Sequence, residues 1–179
     1  MTRLAQRPAV TLERVFTALY VLDVGPAPGG DEHNDLALFL HPNGLVVVCL
    51  APSHWALQPG PREQVSLQFT SSVLASQVSG KRKRGGAVVQ PDTVLATLSA
   101  GGRVSHLRAC VRAKLLECNS QLQDAAGARL LVDAPRDAGF IAVLMPFDEA
   151  CTHSLRQRAV SREAYEERWR PANPGMSLN

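Results

Sequence analysis

The sequence predicts a small, mainly β domain, barrel-like or sandwich-like, with short helical segments at its periphery. About seven short apolar runs are separated by turn residues roughly every 6–12 positions, which is typical of small β domains. Asn43-Gly44 lies between two such runs, and Asn-Gly between apolar runs is a strong signal for a β-hairpin. Gly101-Gly102 predicts a second hairpin, because glycine readily adopts the positive φ angles of a tight turn.

The N-terminal half contains one predicted helix followed by strands. Thr11–Tyr20 places apolar residues at helical spacing and is predicted to form a short helix or helical turn. Leu36–Leu40 and Leu45–Leu50 flank the Asn-Gly turn and are predicted to pair as a hairpin. Gln64–Thr70 alternates apolar and polar side chains, which predicts a strand with one buried face.

The segment Val94–Asn119 is the most strongly patterned part of the chain. An apolar run leads into the Gly101-Gly102 turn, and a longer alternating segment follows. From Leu107 to Leu115 apolar or small residues occupy every second position, which is the period of a half-buried strand. The intervening positions carry His106, Arg108, Cys110, Arg112 and Lys114. We therefore expect one hairpin whose long second strand has a basic outer face.

Three further elements are predicted in the C-terminal half. Asn119–Asp124 is expected to form a short helical turn with Asn119 as its cap, and the apolar run Gly139–Pro146 is expected to be a core strand. Ser161–Arg170 reads as a helix with Ser161 at the N-cap and Ala164, Tyr165 and Trp169 facing inward. The predicted organisation is one domain over residues 11–170, with a disordered lead at 1–10 and a flexible tail at 171–179.

Composition fits an ordinary globular protein. The 179 residues are 45% hydrophobic and 20% charged, which suits a single domain with a proper core. No apolar run approaches the ~20 residues of a membrane-spanning helix, so no membrane span is expected. Four cysteines without a Cys-x-x-Cys pair indicate reduced thiols.

The charge is distributed unevenly along the chain. The net charge is +3, but residues 62–114 contain nine Lys and Arg against two acidic residues, or +7, and the remainder has ten against fourteen, or −4. Four of the cations are consecutive, Lys81, Arg82, Lys83 and Arg84, and glycines flank them. Such a run is either a solvated loop or a binding or nuclear-localisation segment, and concentrated positive charge favours acidic partners.

No catalytic or metal site is predicted. The chain has no Gly-x-Ser-x-Gly elbow and no glycine-rich phosphate loop, and the side chains of the adjacent Ser53 and His54 diverge. On the expected strand, a rise of ~3.3 Å per residue separates His106 from Cys110 by ~13 Å, too far to share one ion. The same argument excludes a disulfide between Cys110 and Cys118. We therefore expect a non-enzymatic protein without cofactor or metal.

Several stretches carry a family resemblance. They are Phe16–Tyr20, His41-x-Asn43, Leu50–His54, Val78-Ser79-Gly80-Lys81-x-Lys83-Arg84-Gly85, Cys110–Arg112 and Gly139–Val143. Together they resemble the Abitram family, also called Simiate, the actin-binding transcription modulators, over roughly residues 12–170. The resemblance implies binding to monomeric and filamentous actin and an influence on filament assembly and cell protrusions. It also implies a place in both cytoplasm and nucleus, nuclear speckles included.

The C-terminal half is similar, more distantly, to the glycine-cleavage H-protein. That resemblance implies the single-hybrid, or barrel-sandwich hybrid, fold, in which a hairpin presents a lysine that carries lipoate. Aligning Glu117-x-Asn119 and Ser161-x-Glu163-Ala164-Tyr165 places the lipoyl position near Gly102. No lysine stands there, and arginine does not replace it because a guanidinium stays protonated. The fold is expected without the carrier chemistry.

Three functional hypotheses follow. The first is an actin-binding regulator in which Lys81, Arg82, Lys83 and Arg84 attract the acidic filament, with Arg103, Arg108 and Arg112 as a second group. The second is a nuclear adaptor that binds nucleic acid or chromatin through the same cations, although no aromatic residue interleaves the run to stack on bases. The third is a lipoyl-type carrier, which the missing lysine disfavours. The sequence leaves the oligomeric state open.

Overall fold

Two antiparallel β-sheets and several short helices make up the computed structural model, which describes residues 15–22, 33–58, 64–77 and 87–169. The strands are β1 (Thr17–Val21), β2 (Leu36–Leu40), β3 (Val46–Leu50), β4 (Ser66–Phe69), β5 (Val88–Val89), β6 (Val94–Ala100), β7 (Arg103–Arg108), β8 (Ala113–Cys118), β9 (Ala142–Pro146) and β10 (Val160–Ser161). The α-helices are α1 (Ser71–Gln77), α2 (Ala125–Ala128), α3 (Leu130–Asp133), α4 (Glu149–Arg158) and α5 (Arg162–Arg168). Short 3-10 turns occupy Trp55–Leu57 and Ser120–Gln123.

The larger sheet has seven strands in the order β10-β1-β2-β3-β9-β8-β5, and the smaller has three in the order β4-β6-β7. Their facing sides share one apolar cluster. Leu38 and Val48 of the large sheet belong to it, as do Leu67, Leu98 and Leu107 of the small sheet. All five side chains are buried, so the main core lies between the two layers.

A second, smaller core covers part of the outer side of the large sheet. Ala37, Phe39 and Cys49 point away from the main core and pack with Tyr20 and Tyr165. The rings of Tyr20 and Tyr165 stack at 3.9 Å between centroids with an interplanar angle of 6°. Helix α5 therefore closes this side of β1, β2 and β3, and both faces of these strands are buried.

The mainly β class with short peripheral helices is confirmed. The Asn-Gly hairpin forms between β2 and β3, with Gly44 at φ +92. Leu67 and Phe69 of β4 are buried, as is Val65 just before it, which the alternation predicts. Helix α5 begins where expected, because Ser161 Oγ accepts a hydrogen bond from Ala164 N at 3.3 Å. Helix α4 was not predicted, although its N-cap Asp148 accepts a hydrogen bond from Cys151 N at 2.8 Å.

The helix predicted over Thr11–Tyr20 is wrong for its described part. Thr17–Val21 forms β1, which pairs with β2 on one side and β10 on the other. Ala18, Leu19 and Tyr20 are all buried, since one face meets the main core and the other meets α5. A strand buried on both faces has no period of two, so its apolar residues imitate helical spacing. Residues 11–14 lie outside the described residues.

The long second strand predicted after Gly101-Gly102 is wrong, because two strands in different sheets replace it. β7 pairs with β6 in the small sheet, whereas β8 pairs with β9 and β5 in the large one. Between them Cys110 adopts a φ of 62, and the N–H groups of Ala109 and Cys110 donate to the carbonyls of Thr93 and Pro91. Cys110 is buried, not on an outer face.

Two smaller predictions also need correction. Asn119 precedes the 3-10 turn as expected, but its side chain does not cap it. The amide donates to the carbonyls of Ala138 at 2.7 Å and Phe140 at 2.8 Å, which fixes the approach to β9. Ala164 is exposed, although Tyr165 is buried as predicted.

The expected N-terminal lead and C-terminal tail lie outside the described residues. Among the helices of the described ranges, none is both long and apolar enough to cross a bilayer.

Candidate functional site

The tip of the β6–β7 hairpin is a glycine turn, as predicted. Gly101 and Gly102 have φ values of 55 and 77, in the left-handed region that favours glycine. Both residues are exposed, and nothing lies within 4 Å of a Cβ built on Gly102. The tip therefore projects from the small sheet into open space.

This tip does not fit lipoate. Attachment needs a lysine amine, and the turn reads Ser99-Ala100-Gly101-Gly102-Arg103. Lys114, the next lysine along the chain, lies on β8 in the other sheet. A lysine at Gly102 would also carry the strain of a side chain at positive φ. The residues present provide an architectural turn in place of a carrier site.

The structure disperses the three arginines that the sequence analysis grouped as a second set of binding residues, Arg103, Arg108 and Arg112. Arg103 and Arg108 lie at opposite ends of β7, about 16 Å apart along the strand. They are five positions apart, an odd offset along a strand, so their side chains leave opposite faces of the sheet. Arg108 is half-buried, and its guanidinium donates to the carbonyl of Asp92 at the base of the hairpin. Arg108 therefore has a structural role that the sequence did not indicate.

Arg112 belongs to a different group, on the outer side of the large sheet. Its guanidinium carbon lies 4.9 Å from the ring centroid of Phe147, and Lys114 Nζ lies 5.7 Å from the same centroid. All three side chains are exposed. Cations over an aromatic face gain a modest electrostatic attraction, which orders them at the surface. The sequence did not predict the pairing with Phe147, 35 and 33 residues away.

Asp148 lies beside this group. The Cys151 backbone N–H lowers the pKa of its carboxyl first, and the nearby positive charge of Arg112 adds to the effect. The carboxylate is fully exposed and caps α4. The negative charge of Asp148 therefore offsets part of the positive charge of Arg112, and both side chains stay accessible to solvent.

The basic run Lys81, Arg82, Lys83 and Arg84 lies outside the described residues. The described chain resumes at Ala87, whose carbonyl accepts a hydrogen bond from Leu115 N of β8 at 2.8 Å. Val88, the next residue, is the register partner of Lys114. In the sequence, three residues separate the end of the run from β5, the edge strand that pairs with β8.

A buried polar group joins α5 to the loops around β2 and β3. Ser53 Oγ donates to Asp35 Oδ2 at 2.6 Å, and Tyr165 Oη donates to Ser53 Oγ at 2.7 Å. Ser53 N donates in turn to Tyr165 Oη at 2.8 Å. Burial raises the pKa of Tyr165 to about 12, so the phenol stays protonated and acts as a donor. Ser53 is 1% exposed, and these contacts hold α5 on the sheet.

Trp55 connects the same region to the small sheet, and His54 lies buried beside it. Trp55 Nε1 donates to Ser105 Oγ of β7 at 3.2 Å. His54 is completely buried, and this burial lowers its pKa to about 3. Its Nδ1 accepts from Ala56 N at 3.2 Å, so the proton of the neutral ring sits on Nε2. The hydrogen bonds of Ser53 could not be predicted from the sequence, because Asp35 is 18 residues away from Ser53 and Tyr165 is 112 residues away.

The thiols are structural in character. All four cysteines are free, and burial raises the pKa of Cys49, Cys110 and Cys118 to about 12. Buried thiols with such pKa values are inert. Across the part of the chain that the structure describes, no cluster of three His, Cys, Asp or Glu side chains has metal-binding geometry.

An open groove of about 450 Å³ lies between the β2–β3 turn and α4. Leu40 and Pro42 line one wall, and Glu149, His153 and Arg156 line the other. Both charge signs are present and Glu149 and Arg156 are exposed, so the groove selects no particular ligand.

Comparison with known proteins gives a consistent set of relatives. The chain is 33% identical to "Protein Abitram" of Drosophila melanogaster over 169 residues, covering 92% of this chain and 72% of that protein. It is 33% identical to the Bos taurus protein of that name, with 92% and 87% covered, and 32% identical to the Homo sapiens one, with 87% and 84% covered. No family model matches the chain.

Among solved structures, the chain is similar to a glycine cleavage system H protein from Mycobacterium marinum. The TM-score is 0.42 and the sequence identity 14%, with 85% of this chain and 94% of that chain covered.

The family resemblance seen in the sequence is confirmed by the Abitram relatives, which match at above 30% identity over most of their length. The chain belongs to the Abitram family.

Proposed function

We propose that this protein is a non-enzymatic actin-binding regulator that acts in the cytoplasm and nucleus, with a role linked to transcription. Family membership supports the proposal, because the resemblance to the actin-binding transcription modulators implies actin as a partner. The observation that carries it is the pair of exposed cations, Arg112 and Lys114, on the outer side of the large sheet. Cations at an accessible face attract an acidic surface such as that of actin.

The proposed mechanism is electrostatic capture of actin. Lys81, Arg82, Lys83 and Arg84 extend the positive charge along the sequence toward Val88 and Lys114. Arg112 takes part directly, whereas Arg103 and Arg108 supply background charge from the small sheet. Exposed charges are screened over about 10 Å at 0.1 M salt, so binding weakens as salt rises.

The buried hydroxyl of Ser53 supports the non-enzymatic part of the proposal. In the region that the structure describes, Ser53 is fully occupied by Asp35 and Tyr165 and is closed to solvent. A nucleophile needs access to its substrate, together with a base that activates it. This serine has a carboxylate acceptor and no route to a substrate, which suits a structural hydrogen bond.

Co-sedimentation with actin filaments at two salt concentrations tests the proposal. Changing Lys81, Arg82, Lys83 and Arg84 together to glutamate is expected to remove most of the sedimenting fraction. The control changes three exposed arginines that lie outside residues 62–114 to glutamate, namely Arg129, Arg156 and Arg168. If the quadruple variant sediments like the wild type, the basic run is not the contact. If the wild type does not co-sediment with actin filaments but binds RNA or DNA, the nucleic-acid hypothesis replaces this one.

A further inference from the structure

The exposed apolar side chains of this protein are concentrated on one face. In the described part of the chain, five large hydrophobic side chains are exposed, and three of them lie together at the β5–β8–β9 end of the large sheet. They are Val88, 56% exposed, Leu116, 46%, and Phe147, 38%. Clustered exposure of this kind marks interaction surfaces, whereas single exposed residues need no explanation.

The register of the strands explains why these side chains share a face. Val88 is the partner of Lys114 across β5 and β8, and directly paired residues point to the same side of a sheet. Leu116 lies at a β-bulge, because Leu115 pairs with Leu144 and Glu117 pairs with Val143. Alternation from the buried Leu115 points Leu116 outward, and the bulge then leaves Glu117 exposed as well and returns Cys118 to the core.

Two cations complete the face. Arg112 and Lys114 contact the ring of Phe147, so an apolar strip and positive charge occur side by side. We call Val88, Arg112, Lys114, Leu116 and Phe147 the β8 face. Helix α5 and its Tyr165 cover the outer side of β1, β2 and β3, and the second core they form does not include the β8 face.

We infer that the β8 face is a docking surface for an acidic protein segment that carries an apolar anchor, the anchor packing on Val88 and Leu116 and its carboxylates pairing with Arg112 and Lys114. This inference rests on the proposed function and deepens it, since it names which face meets actin and adds apolar contact to charge attraction. Interfaces of this composition have an apolar centre and a charged rim.

Charge and shape favour a protein segment over the other occupants. A nucleic acid gains nothing from the aliphatic side chains Val88 and Leu116, and the Phe147 ring is already contacted by two cations where a base would stack. In a two-fold dimer of this chain, a symmetry axis through Arg112 and Lys114 would bring these cations against their own counterparts, which is electrostatically unfavourable.

The test removes apolar area without changing charge. The double variant Val88→Thr/Leu116→Asn alters the β8 face, and Val15→Thr/Val104→Thr alters two equally exposed valines elsewhere, 47% and 52% exposed. Filament co-sedimentation at fixed salt is expected to show a dissociation constant about tenfold higher for the first variant. The second variant is expected to stay within about twofold of the wild type. All four positions are exposed, so both variants keep the fold, which circular dichroism verifies.

Each outcome decides a different point. Equal binding by the β8 variant and the wild type overturns this inference and leaves actin binding in place. A wild type that binds no actin overturns the proposed function and this inference with it. Loss of binding in Lys114→Gln but not in Val88→Thr/Leu116→Asn shows that charge alone acts, which also overturns the apolar anchor. Light scattering that shows a dimer dissociated by the β8 variant assigns the face to self-association and overturns the inference too.

Discussion

β7 and β8 follow one another in the sequence with the same alternation, yet they serve different parts of the molecule. β7 is an outer strand of the small sheet, where Arg108 is tied to the Asp92 carbonyl and Ser105 to Trp55. β8 lies inside the large sheet between β9 and β5, and its outward cations rest on Phe147. One strand connects the layers, and the other presents a surface.

The difference shows what a period of two does and does not specify. Alternation correctly indicates that Leu107 and Leu115 are buried, and both are 0% exposed. It carries no information on the sheet to which each strand belongs, because either sheet buries the same face. The change of sheet occurs at Cys110, where a left-handed φ of 62 redirects the chain.

The largest expected effect tests whether the two strands share one core. Leu107→Ala and Leu115→Ala each remove a fully buried side chain, so each is expected to lower the free energy of unfolding by about 3 kcal/mol. Urea denaturation measures both. Leu116→Ala is the control at an exposed site and is expected to stay within about 0.5 kcal/mol of the wild type. A loss below about 1 kcal/mol for either buried leucine would show that its strand is not part of the common core.

The second expected effect is a loss of stability in acid, caused by His54. Its pKa is about 3 in the folded state and near 6.5 unfolded, so the unfolded state binds a proton first as the pH falls. The stability that His54 contributes is complete above pH 6.5 and is lost progressively toward pH 3. Between pH 7 and pH 5 the expected loss is about 2 kcal/mol, since one pKa unit corresponds to about 1.4 kcal/mol.

Denaturation in urea at several pH values measures this dependence. His54→Asn is the matched variant, because its side chain does not titrate and its Oδ1 takes the position of the Nδ1 atom that accepts from Ala56 N. We expect a flatter pH profile for the variant than for the wild type. Parallel profiles would mean that His54 does not control the acid response.

A smaller effect is expected at the residue where the chain changes sheet. Cys110→Val places a β-branched side chain at positive φ and is expected to cost about 1–2 kcal/mol. Cys118→Val, on the extended backbone of β8, is the control for the same exchange and is expected to cost less. Cys110→Gly relieves the strain but loses the buried thiol, so it should lie within about 1 kcal/mol of the wild type. Equal losses for the two valine variants would remove Cys110 from this role.

Much of the layered fold was accessible from the sequence, because local chemistry determines it. The turns at Gly44 and Gly101-Gly102 need positive φ angles that few residues other than glycine adopt, so the sequence shows where these strands end. Ser161 likewise marks the start of α5, because its side chain caps the helix. β1 was missed because a strand buried on both faces loses its alternation. The division between β7 and β8 was missed because it depends on tertiary pairing.

The candidate site was less accessible than the fold. The sequence identified the cations but grouped Arg103, Arg108 and Arg112, which the structure distributes over both sheets. Phe147 meets Arg112 only because β8 pairs with β9, and the bulge that leaves Glu117 exposed and Cys118 buried has no local signal. The buried contact of Asp35, Ser53 and Tyr165 likewise needs the three-dimensional arrangement.

The most direct test of the account compares charge reversal on the two strands. Arg112→Glu/Lys114→Glu and Arg103→Glu/Arg108→Glu change the net charge equally, so a nonspecific electrostatic effect would be the same for both. In filament co-sedimentation at physiological salt, we expect the β8 pair to raise the dissociation constant about tenfold or more and the β7 pair about threefold or less. Equal effects of the two pairs, or no effect of the β8 pair, would contradict the assignment of actin binding to β8.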